Sequence, residues 1–97
     1  MPTDPKSITP EQKEALKMLG RQTRGYFVIH QMAGPHNADV RQKIMSILHG
    51  QKMPKAKCGV TVMEKAFIEL SGITEYTCLA DRNNKFEAWA KEAAGDL

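Results

Sequence analysis

The chain has 97 residues, 41% of them hydrophobic and 26% charged, with a formal net charge of +3. That length bounds it to one small domain with one modest core, and the composition is neither that of a disordered chain nor that of a fibre. No apolar run approaches the roughly 20 residues a membrane span requires, which argues against a membrane partner.

The head, residues 1–8, is polar with Pro2 and Pro5 and reads as a flexible lead into a single helical domain over residues 9–97. It lacks the basic start and apolar stretch of a signal peptide. Thr9-Pro10-Glu11-Gln12 is a helix start, with Thr9 as N-cap, Pro10 at the first helical position and Gln12 closing a capping box. Ala15, Leu16, Leu19, Tyr26, Phe27, His30 and Ala33 then recur at helical spacing, and Gly34-Pro35 ends the segment. Gly20 and Gly25 weaken this helix by about 1 kcal/mol each. One helix, kinked at most, is favoured; a break near Gly25 with an extended segment after it is the competing reading.

Asn37 caps a second helix whose apolar stripe is Val40, Ile44, Ile47 and Leu48, with Gly50 as its stop. A basic loop over residues 51–57 follows. Thr61-Val62-Met63-Glu64 has the spacing of a second capping box, opening a helix with Val62, Ala66, Phe67 and Leu70 inward and Gly72 at its end. Thr74 can cap a fourth helix with Tyr76, Leu79, Phe86, Trp89, Ala90 and Ala93 inward, open to interruption at Asn83-Asn84. No segment alternates with period two, so the expected fold is all-α: a compact bundle of four or five short helices, with a helix-loop-helix in the C-terminal half.

Charge is unevenly distributed along this frame. Residues 17–57 hold eight bases (Lys17, Arg21, Arg24, Arg41, Lys43, Lys52, Lys55 and Lys57) against one acid, Asp39, whereas from Cys58 onward four bases face seven acids. On a helical wheel Lys13, Lys17, Arg21 and Arg24 fall within an arc of about 80°, roughly opposite the apolar face. This ridge, extended by Lys52, Lys55 and Lys57, is the expected partner-binding or phosphate-binding surface, because clustering rather than total charge marks an electrostatic footprint. The anionic partner it implies is DNA, RNA or an acidic protein surface, including that of a nucleic-acid-processing enzyme.

Residues 66–83 carry a second signal. A helix to Ser71, a turn at Gly72-Ile73 and a new helix from Thr74 resemble the helix-turn-helix family, with Gly72 at the turn and Ile73 and Cys78 as apolar residues after it. The resemblance implies a transcription regulator with Thr74, Glu75, Tyr76, Thr77 and Arg82 toward the major groove. It departs from the family at Ile68, where a small residue is usual, and in the acids Glu75 and Asp81. A third reading is an adaptor or inhibitor that acts by protein contact alone, similar in size and texture to small accessory proteins of temperate phages that modify host recombination nucleases.

Cys58, Cys78, His30, His36 and His49 show no paired metal-ligand spacing, so neither metal nor cofactor is expected. No acid, base and nucleophile assemble locally, so no catalytic residues are assigned and an enzyme is not expected. His30 reads as a packed core histidine, and the two cysteines as reduced thiols of a cytoplasmic protein.

Overall fold

In the computed structural model, which describes residues 1–95, the chain folds as an all-α bundle. The helices are α1 (Pro10–Gln22), α2 (Ala38–His49), α3 (Val60–Ser71) and α4 (Leu79–Ala94), joined by short 3-10 turns at Pro5–Ser7, Ile29–Met32, Pro35–Asn37 and Lys55–Lys57. None of the described helices is long and apolar enough to cross a membrane.

The start of α1 follows its capping box. Gln12 N–H donates to Thr9 Oγ1 (3.1 Å), and Thr9 N–H donates to Gln12 Oε1 (2.9 Å), so two otherwise orphaned donors are satisfied. Its end differs from the expected continuous helix. The helix stops at Gln22, Arg24 turns left-handed (φ 56°), and Gly25 N–H donates to Gly20 O at 2.7 Å. With Arg24 N–H bonded to Arg21 O, this is a Schellman closure whose left-handed position is filled by an arginine, the glycine coming one residue later. Buried Thr23 secures it: its hydroxyl donates to Leu19 O (2.8 Å) and accepts the Phe27 N–H (2.9 Å). Beyond it the chain forms a 3-10 turn rather than an extended segment, leaving Tyr26, His30 and Ala33 exposed, not inward.

At α2 the boundaries agree with expectation at Asn37 and Gly50, although the Asn37 side chain makes no cap bond and donates instead to Ala33 O. Gly50 (φ 68°) and Gly72 (φ 69°) both end their helices in the left-handed conformation that glycine adopts without a Cβ penalty. The inward positions of α2 are Ile44 and Met45; Val40, Ile47 and Leu48 are half-buried. The expected Thr61–Glu64 capping box does not form, because α3 begins at Val60 after Gly59 and the Glu64 carboxylate is drawn to Arg82 and His30. Val62 is consequently exposed, and Met63 and Phe67 carry the inward face.

The largest departure is at α4. It begins at Leu79, after an extended Cys78, rather than at Thr74, and it runs unbroken through Asn83-Asn84. The Asp81 carboxylate accepts the Thr77 N–H at 3.0 Å, which fastens the incoming chain just ahead of the helix. Tyr76 and Leu79 therefore lie on the surface, whereas Phe86, Trp89, Ala90 and Ala93 are buried as expected.

Leu16 and Leu19 of α1, Ile44 and Met45 of α2, Met63 and Phe67 of α3, and the buried face of α4 make one core, closed by Phe27, Ile29 and Met32 from the segment after α1. Phe86 is its hub, edge-on to Phe27 (6.5 Å between centroids), tilted against Phe67 (6.3 Å) and stacked on Trp89 (6.1 Å). Such pairs add about 0.5–1.5 kcal/mol each beyond the area they bury. The head is tied to this end of the bundle: Thr3 N–H donates to Ser71 O (2.8 Å), and the Trp89 indole donates to Thr3 O (2.7 Å). A Cβ at Gly72 would lie 3.0 Å from Thr3 Oγ1 and 3.1 Å from Thr3 N, so this position accepts the head only as glycine.

Candidate partner-binding surface

The expected basic ridge divides in two. Lys13, Lys17 and Arg21 succeed one another at four-residue spacing along α1, opposite the buried Leu16 and Leu19, with Lys13 and Arg21 exposed and Lys17 half-buried. Arg24 lies past the helix end and is exposed on the left-handed turn, so it heads the following loop rather than completing a helical row. Only one acid answers the row, Glu14, which approaches Arg21 at 3.8 Å with both side chains about half exposed. An ion pair in that setting contributes little and is screened by salt.

Lys52, Lys55 and Lys57 are exposed in the loop between α2 and α3. Lys55 meets Asp39 of α2 at 2.6 Å, and this ammonium holds the Asp39 carboxyl below the usual carboxylate range. Its charge is thus partly answered, whereas Lys52 and Lys57 enter no ion pair among the described residues.

One base of the central block is structural. Arg41 donates from Nε to Cys58 O (2.8 Å) and from Nη1 to Met32 O (2.5 Å) and Gly34 O (2.8 Å), clamping the two loops that flank α2. Every one of these acceptors is a distant backbone carbonyl, which no local sequence pattern discloses.

Of the alternative DNA-reading set, Thr74, Glu75, Tyr76 and Thr77 lie in the link ahead of α4 and not on a helix. The tight turn expected at Gly72-Ile73 is replaced by a longer connection, which is the correction to the helix-turn-helix geometry. Arg82 is on α4, but its side chain is only 14% exposed; it bonds Glu64 and stacks over the Tyr76 ring at 5.9 Å. Glu64 also holds His30 through Nε2, so the histidine expected in the core instead sits at the surface, where the turn after α1, α3 and α4 meet.

The cysteines are both free, one buried and one exposed. Burial pushes the Cys58 thiol up, and it donates to Pro54 O at 3.3 Å. The Cys78 thiol is shifted down, first by the Asp81 backbone N–H at the start of α4 and then by the Thr77 hydroxyl. Among the described residues no group of three or more His, Cys, Asp or Glu side chains converges as a metal site would require. The chain matches no protein-family model, no curated protein and no solved structure.

Proposed function

We propose that this is a small non-catalytic binding protein, a modulator that docks on an anionic partner through the exposed basic row of α1 and the turn that follows it. The observation that carries this reading is the in-register spacing of Lys13, Lys17 and Arg21 on one side of a helix whose other side is fully committed to the core. Arg24 extends the same sign beyond the helix end, and Lys52 and Lys57 are accessory cations of the next loop. The partner is nucleic acid or an enzyme that works on it, either of which presents clustered phosphates or carboxylates for charge-assisted hydrogen bonds.

A pull-down from cell lysate at two salt concentrations, with and without nuclease, tests this against the Arg21→Glu/Arg24→Glu double variant. A stoichiometric partner retained at low salt, weakened by salt and lost with the variant supports it. Capture that is indifferent to both salt and charge reversal sinks it.

A further inference from the structure

The turn after α1 displays more apolar surface than its neighbours. Tyr26 is 61% exposed and Val28 40%, while Phe27 and Ile29, alternating with them, are buried. The backbone on both sides of Tyr26 is left-handed, at Arg24 and Gly25 before it and at Phe27 (φ 54°) after it. Non-glycine residues keep that conformation only where their surroundings impose it. Here Thr23 holds the Phe27 N–H and Phe86 packs on the Phe27 ring, so Tyr26 is fixed outward by buried neighbours.

Beside it opens a crevice of about 90 Å³, lined by Tyr26, Val28, Ile68, Asn83, Phe86 and Glu87 among others. Its two acids are already answered: Glu64 by His30 and Arg82, and Glu87 by Lys91 at 3.0 Å. The unanswered charge at the turn is therefore positive, on Arg24, and the Lys17–Arg21 row leads up to it. Size then discriminates between anionic partners. A cavity of about 150 Å³ is what benzene occupies, so about 90 Å³ is too small for a nucleobase but takes one aliphatic side chain.

We infer that residues 24–28 are a preformed docking point for an acidic protein segment. That segment seats one aliphatic side chain in the crevice beside Tyr26 and Val28 and sets its carboxylates against Arg24 and Arg21. The inference rests on the reading of α1 as the face for an anionic partner, and it selects protein over nucleic acid. An exposed tyrosine and arginine around a small pocket is the composition of an interface hot spot, and a turn already held in place loses little freedom on binding.

The test titrates the full chain, by fluorescence anisotropy, with a short labelled peptide of aspartate and glutamate around a single leucine. Its counterparts have alanine or tryptophan at the centre, and labelled oligothymidine is the nucleic-acid probe. The leucine peptide binds, and alanine or tryptophan in its place weakens binding about tenfold or more. Tyr26→Ala and Val28→Asp weaken the leucine peptide comparably; both positions are exposed, and circular dichroism verifies that the fold persists. Equal binding of the leucine and alanine peptides, indifference to Tyr26→Ala, or tighter binding of oligothymidine overturns the inference while leaving the basic-face reading intact. Unchanged binding of every anionic probe by Lys13→Glu/Arg21→Glu overturns that underlying reading instead.

Discussion

The two halves of the molecule treat charge in opposite ways. From α3 onward most of the bases are engaged close to home: Arg82 with Glu64, Lys85 with Asp81 at 3.1 Å, and Lys91 with Glu87 at 3.0 Å. On α1 and the loops around α2, Lys17, Arg24, Lys43, Lys52 and Lys57 enter no ion pair among the described residues. A difference that in sequence is one of net charge is, in the fold, also one of availability. The C-terminal half uses ion pairs to join elements, and the N-terminal half leaves its cations facing outward, where they steer association.

The comparison breaks most visibly at Glu64. Glu64→Leu strips Arg82 and His30 of their shared acceptor at the junction of the turn after α1, α3 and α4. With the Glu64 and Arg82 side chains only 19% and 14% exposed, the orphaned guanidinium costs on the order of 3 kcal/mol. The midpoint of urea unfolding should fall accordingly. The matched reversal on the other half, Lys13→Glu/Arg21→Glu, should move that midpoint hardly at all, since exposed substitutions typically stay within about 0.5 kcal/mol. If the two variants unfold alike, the division between structural and available charge is wrong.

Next in size is the joint between the halves. Thr23→Val preserves shape but removes the hydroxyl that accepts the Phe27 N–H, leaving that amide buried without a partner. A loss of about 2 kcal/mol is expected. Arg24→Gly acts in the other direction, relieving a left-handed arginine worth about 1–2 kcal/mol against a smaller entropic cost of glycine. A net gain of about 0.5–1 kcal/mol in thermal or urea unfolding, with weaker binding of an anionic partner, would separate stability from function at one residue.

These sites also show what was legible beforehand. The Thr9 capping box and the glycines at 50 and 72 were readable because each acts on its immediate neighbours. The end of α1 was not, because its glycine sits one place after the left-handed residue and the lock is a threonine whose partner lies four residues on. The start of α4 misled for a related reason: Thr74 and Thr77 are both good caps by type, yet Cys78 takes the position while Asp81 holds the Thr77 amide. The basic row was legible from its four-residue spacing. The commitment of Arg41 to three remote carbonyls and the outward fixing of Tyr26 were not, since both depend on contacts made only when the chain closes.

The smallest expected effects concern the thiols, and they sharpen the same contrast between buried and available groups. Cys78 is exposed with its thiolate favoured by the Asp81 N–H, whereas Cys58 is buried with its thiol favoured. A thiol-specific reagent should therefore modify Cys78 alone in the folded protein, with a rate that rises at lower pH than for a free cysteine. Cys58 should react only after denaturation. The linkage has a definite sign. Because the folded state holds the Cys58 proton more tightly than the unfolded chain, Cys58→Ala should flatten the decline in stability as pH rises past the ordinary thiol range. Cys78→Ala should steepen it, because a depressed folded-state value adds stability above that range. Equal labelling of both thiols in the native protein would show that the loop clamped by Arg41 opens readily, and would reassign that arginine from structure to the available set.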